Sequence, residues 1–169
     1  MKNIILLILC ALLTQCVFLE KDDVLPKAVP FTGNQLKING YYYQIILNNK
    51  SHSPLIMYGN GVLLKMGDFT TDSIEEMDEY IIKDYVNDNW YKRNKYLWGV
   101  FFVYDNIVIY NRLTQDYPHR ENIREGIILN DTTIQIIKYS SANYVTFQNE
   151  IYHFREFSPK PDSTNVYIK

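Results

Sequence analysis

The chain has 169 residues, 47% of them hydrophobic and 15% aromatic, and its 17 basic against 19 acidic side chains leave a formal charge of −2. That balance excludes a disordered polar chain, a collagen-like repeat and a basic nucleic-acid binder, so no nucleic-acid partner is expected. Both cysteines, Cys10 and Cys16, precede the body of the chain, which excludes a disulfide framework or a cysteine-based zinc site there, and the length suits one domain burying roughly 70% of its unfolded surface.

Residues 1–15 read as a secretion signal: Lys2 gives a short basic start, residues 4–13 are uniformly apolar, and Thr14-Gln15-Cys16 follows. Such a run is about half of the twenty residues a helix needs to cross ~30 Å of hydrocarbon. Leu13-Thr14-Gln15-Cys16 resembles the lipobox of bacterial lipoproteins, with Gln15 in place of the usual small residue. The resemblance implies cleavage before Cys16 and lipidation of its thiol, a membrane anchor to which each buried CH₂ contributes ~0.8 kcal/mol. Residues 16–35 contain the charged cluster Glu20-Lys21-Asp22-Asp23, then Pro26, Pro30 and Gly33, and read as a flexible tether.

From 36 to 158 short alternating runs are punctuated by tight-turn residues, the pattern of an antiparallel β domain. Strands are expected at about 41–47, 54–58 and 62–66, the last two joined by Asn60-Gly61, which supplies the positive-φ pair of a type I′ turn. Asp72-Ser73 followed by Glu75 and Glu76 is a capping-box start, and Ile74, Met77, Ile81 and Tyr85 recur at helical spacing. One amphipathic helix is therefore expected over about 72–88. Strands follow at about 97–104 and 107–113 around Asp105-Asn106, at 124–129 and 133–139 around Asn130-Asp131-Thr132, and at 144–148 and 151–157 around Gln148-Asn149-Glu150. Trp98, Val100, Phe102 and Tyr104 alternate with Phe101 and Val103, so both faces of that strand ask for burial, one inside the sheet and one under the helix. Residues 159–169 form a polar C-terminal tail. The fold class is mainly β: an antiparallel meander that closes into a barrel or a strongly curled sheet, with one inserted helix.

Gly40-Tyr41-Tyr42, the turn from Tyr58 to Val62, Trp98-Gly99, Asp105-Asn106-Ile107, the run from Asn130 to Ile134 and the ending from Lys160 to Asn165 together resemble small lipoproteins of Bacteroidota whose body is a lipocalin-like barrel. The resemblance implies an outer-membrane, lipid-anchored monomer, on the periplasmic or the surface face, that binds a small apolar ligand or an envelope protein. A second reading is an inhibitor or immunity lipoprotein that blocks an enzyme through a protruding loop such as 87–96 or 114–123.

Chemistry is sparse. His52 and His119 sit in segments read as solvated loops, and His153 alternates with Tyr152 and Phe154 as an outward-facing strand residue. No two are spaced to share a metal, no Gly-rich phosphate loop or Ser nucleophile elbow is present, and neither an enzyme nor a cofactor is expected. Trp90, Tyr91, Lys92, Arg93 and Tyr96 interleave aromatic with basic side chains, a pattern that stacks on sugars, touches phosphate headgroups or docks a protein partner; the plainer reading is a solvated loop with Trp90 tucked under the helix end. Asp162-Ser163-Thr164 resembles the O-glycosylation sequon of Bacteroidota, which makes Ser163 a candidate acceptor.

Overall fold

In a computed structural model the chain is described for residues 25–46, 51–114, 121–141 and 144–168. The signal 1–15, Cys16, the first part of the tether, His119 and most of the loop 114–123 lie outside the described residues. The strands are β1 (Gly40–Ile46), β2 (Ser51–Met57), β3 (Val62–Lys65), β4 (Phe69–Thr70), β5 (Trp98–Tyr104), β6 (Ile107–Leu113), β7 (Glu121–Asn130), β8 (Thr133–Ser141) and β9 (Tyr144–Glu156). One α-helix, α1 (Ile74–Ile81), is present among the described residues.

Successive strands pair antiparallel, and β1 pairs with both β2 and β9, so eight strands close into an up-and-down barrel while β4 lies against the start of β2. Closure removes every edge but that of β4. The expected barrel is therefore present. Gly61 has φ 82°, as the turn between β2 and β3 requires, and Asp105 at φ 52° serves the β5–β6 hairpin.

The two-residue period of the strands separates two cores. Inside the barrel lie Tyr42, Leu55, Met57, Leu63, Phe101, Val108, Tyr110, Ile134, Ile136 and Tyr152. Outside, Tyr41, Ile56, Leu64 and Trp98 form a wall on β1, β2, β3 and β5, against which Met77, Ile81 and Tyr85 pack. Ser73 caps α1, its Oγ accepting from the Glu76 amide at 3.1 Å, while Glu76 accepts from the Asp72 amide at 2.9 Å. Past Ile81 the backbone widens into a π-helical turn (Ile82–Val86), which keeps Tyr85 on the wall. Asp78 ties the helix down: it accepts from Tyr41 Oη at 2.6 Å and from Arg155 Nη2 at 2.6 Å.

The segment before β1 covers the end of the barrel that carries the short hairpins. Phe31 N donates to Gly59 O and Lys37 N to Asp131 O, both at 2.9 Å, while Leu36 is buried among the interior residues. This end is thus filled by Leu36, Tyr42, Met57, Val108 and Ile134.

Four details differ from the sequence reading. The stretches 144–148 and 151–157 are one strand: Gln148-Asn149-Glu150 makes no hairpin, because β9 stays paired with β8 across a register shift between Ile136 and Lys138, and Asn149 accepts from Gln135 Nε2 at 2.8 Å. His52 is not in a solvated loop but in β2, only 5% exposed, with Nδ1 at 3.0 Å from Thr71 Oγ1. The polar run Ser51-His52-Ser53 and Pro54 hide a strand whose pairing with β1 is set by tertiary context. Strand β4 holds only two residues, too few for periodicity. Tyr104 is 76% exposed, since the helix covers the Trp98 end of β5 and leaves the hairpin end bare.

Candidate functional site: a charged chamber in the barrel

The interior is apolar toward the covered end and polar toward the other. Register places the polar residues. Leu55 faces Lys65, Gln44 faces Ser53, Gly99 faces Arg112, and Tyr110 faces Arg124 across their strand pairs. Arg124 in turn faces Tyr139, and Ile136 faces Glu150. All but Tyr139 sit in phase with the inward-facing apolar series of their strands, and Tyr139 joins them through the register shift between Ile136 and Lys138. Lys65, Arg112, Arg124 and Glu150 are therefore carried into the barrel together with Tyr110, Tyr139 and Tyr152.

Arg124 and Glu150 form an ion pair. Arg124 Nη1 donates to Glu150 Oε2 at 2.6 Å and to Gln148 Oε1 at 3.3 Å, and its guanidinium lies over the Tyr139 ring at 5.4 Å. Their side chains are only 19% and 20% exposed. Lys65, 8% exposed, donates to Ser53 Oγ and to Met66 O, and the Asp68 carboxylate stands 3.9 Å away with a largely exposed side chain. Arg112 Nη1 donates to Tyr96 O at 3.3 Å, while its Nε, like that of Arg124, is buried with no partner among the described residues. Asn122 Oδ1 and Ser141 Oγ are likewise buried and unpaired among the described residues.

The electrostatics follow from this crowding. Burial pushes the Lys65 ammonium down to about 7, and the neighbouring Arg112 and Arg124 add to the effect while Asp68 and Glu150 oppose it. Arg112 is also pushed down, chiefly by burial and further by Arg124. Burial raises Tyr110 and Tyr152, whose hydroxyls adjoin, so both remain neutral donors. Among the described residues three cations thus share this part of the interior with one carboxylate. An Arg–Glu pair accounts for itself as structure; two further desolvated cations do not stabilise a fold, and such clusters concentrate at functional sites.

The residues singled out from sequence lie elsewhere. Tyr91 is buried, its ring 5.7 Å from both Tyr85 and Trp98, its carbonyl accepting from Trp98 Nε1 at 3.1 Å. Lys92 Nζ pairs with Asp162 Oδ2 at 2.7 Å and Thr164 Oγ1 at 3.0 Å, and Arg93 O accepts from Tyr167 Oη at 2.6 Å. Tyr91, Lys92 and Arg93 thus hold the C-terminal tail on the outer wall. Trp90 packs tilted against Tyr85, ring centroids 5.5 Å apart, and stays 42% exposed. Tyr96 meets Arg112 through its carbonyl. Ser163 Oγ lies 3.4 Å from Asn60 Nδ2, and the preceding Asp162 is held down to about 2 by its hydrogen bonds from Lys92 and Thr164. His153 is exposed on β9. Among the described residues no three His, Cys, Asp or Glu side chains are grouped to hold a metal.

Lys65, Arg112, Arg124 and Glu150 escape a motif search because they belong to no motif. Parity is the signal that finds them: Val108-Tyr110-Arg112, Arg124-Gly126-Ile128 and Glu150-Tyr152-Phe154 each carry a charge on the inward side of a strand. Family models, curated proteins and solved structures yield no match to this chain.

Proposed function

We propose that the protein is a non-enzymatic binding barrel, tethered to the outer membrane through a lipidated Cys16, that receives a small polar ligand in its charged end. The observation that carries this reading is the half-buried Arg112, whose Nε is fully buried with no partner among the described residues although donors of this kind are almost always satisfied. A wholly apolar ligand is less well suited. The apolar half is occupied by Tyr42, Leu55, Met57, Phe101, Ile136 and Tyr152, and a neutral alkyl group beside Lys65 and Arg112 would leave both desolvated and unpaired. The inhibitor reading draws little support from 87–96, because three of its candidate contacts are engaged by the chain's own tail.

Native mass spectrometry of the full chain, extracted from membranes in mild detergent, tests the binding role. A co-purified small molecule that disappears in Arg112→Met supports it; a chain of bare mass under all extraction conditions, with no mass gained on incubation with a polar-metabolite extract, counts against it. Incorporation of radiolabelled palmitate that is lost in Cys16→Ser tests the anchor.

A further inference from the structure

We infer that the ligand group taken by the chamber is an oxyanion, a carboxylate or phosphate, held by Lys65 and Arg112 with the Tyr110 and Tyr152 hydroxyls beside it. This rests on the binding reading above and names its chemistry. The four interior charges do not play equal parts. Glu150 and Gln148 already occupy Arg124 Nη1 and the Tyr139 ring covers its guanidinium, so the charge of Arg124 is answered although its Nε, like that of Arg112, has no partner among the described residues. Among the described residues Arg112 makes one hydrogen bond, from Nη1 to Tyr96 O, and a guanidinium has five N–H donors in a fork that matches a carboxylate or phosphate edge. Among the described residues Lys65 has only neutral acceptors in hydrogen-bond reach, Ser53 Oγ and Met66 O, with Asp68 farther off at 3.9 Å. Among the described residues Arg112 therefore has no ion pair and Lys65 has only the loose one with Asp68, in a largely buried place.

A neutral polar ligand would satisfy hydrogen bonds there but not charge, and a cation would be repelled. An oxyanion answers both needs, through charge-assisted bonds stronger than those between neutral groups. Leu55, Tyr110, Ile136 and Tyr152 are buried neighbours of these charges in the strand register and belong to the apolar interior cluster that fills the covered end. The anionic group is therefore terminal on its molecule, with any remaining part directed outward.

Isothermal titration of the full chain in mild detergent, at constant ionic strength, with acetate, inorganic phosphate and uncharged acetamide tests this. Saturable one-to-one binding of acetate or phosphate, with acetamide at least tenfold weaker, is expected. Lys65→Met and Arg112→Met should each weaken anion binding at least tenfold, whereas Lys138→Met, on the outer face beside Glu125, should leave it unchanged. Near-ultraviolet circular dichroism reports whether each variant is folded, and Lys65→Met, which removes a buried charge, keeps the test available if Arg112→Met does not fold. Acetamide binding as well as acetate would overturn the oxyanion assignment and leave the binding barrel standing; no saturable binding of any probe, together with a bare mass in the native spectrum, would remove both. A parallel arm with phosphatidylglycerol vesicles separates a lipid headgroup from a free anion: binding to vesicles but to neither soluble anion assigns the site to the headgroup phosphate.

Discussion

Replacing Lys65 by Met removes the most strongly perturbed cation of the chamber at nearly constant volume. Its ammonium falls from the ordinary 10.5 to about 7 on folding, burial being the first cause and Arg112 the second. With about 1.36 kcal/mol for each tenfold change in proton affinity, that difference corresponds to roughly 5 kcal/mol against the charged form. The folded chain binds fewer protons than the unfolded chain between about 7 and 10.5, so this group makes stability rise with pH across that window and withholds it fully below about 7. Met carries no such penalty. It forfeits the hydrogen bond to Ser53, worth about 1 kcal/mol, and the loose ion pair with Asp68, worth less. The variant should therefore be more stable than the parent by about 3 kcal/mol at pH 7, with the advantage shrinking toward pH 10.5. Urea unfolding of the full chain in detergent at pH 7, 8.5 and 10, followed by tryptophan fluorescence, measures it. A variant less stable than the parent at pH 7, or a difference that does not change with pH, would refute the reasoning.

Three further outcomes follow from the same geometry. Oxyanion affinity should fall as pH rises above about 7, because Lys65 must take up a proton to hold the anion while Arg112 and Arg124 oppose that proton and Asp68 and Glu150 favour it; titrating acetate at pH 6 and pH 9 would show it, and equal affinities would contradict it. Glu150→Gln removes the partner of Arg124 and should cost about 3 kcal/mol in urea unfolding, in the range for breaking a buried pair, while tightening anion binding by making the chamber more positive. Gly126→Val should destabilise by about 1–3 kcal/mol through overpacking, because a Cβ there would meet Ile136 Cδ1 at 2.8 Å and Ile134 Cγ2 at 3.2 Å; a thermal melt within error of the parent would show that the barrel wall yields at this point.

The barrel was legible because its local signals agree: Asn60-Gly61 and Asp105-Asn106 fix hairpins whose flanking strands alternate, and the capping box before Met77 and Ile81 fixes the helix. Where tertiary pairing overrides local preference, the reading fails. Gln148-Asn149-Glu150 has the composition of a turn, yet it stays extended because β8 pairs along its length and Glu150 meets Arg124 inside. His52 looks solvated among Ser and Pro, yet β1 and Thr71 bury it. The chamber is harder still. A charge at the end of a strand reads as solvated unless its parity is compared with neighbours that point inward, and that comparison needs a register shared by β3, β6, β7 and β9. The aromatic–basic segment shows the opposite error of emphasis: Tyr91, Lys92 and Arg93 are conspicuous in sequence and serve to dock the chain's own tail.

The chamber's role is read most directly at the Arg112 Nε–H, observed by side-chain ¹⁵N NMR as acetate is added to the full chain in detergent. If the chamber holds an oxyanion, the Arg112 Nε–H resonance shifts downfield in step with the calorimetric isotherm and its exchange with water slows, while Arg124, already bonded to Glu150, moves little. An Arg112 resonance that stays in place at saturating acetate would contradict it.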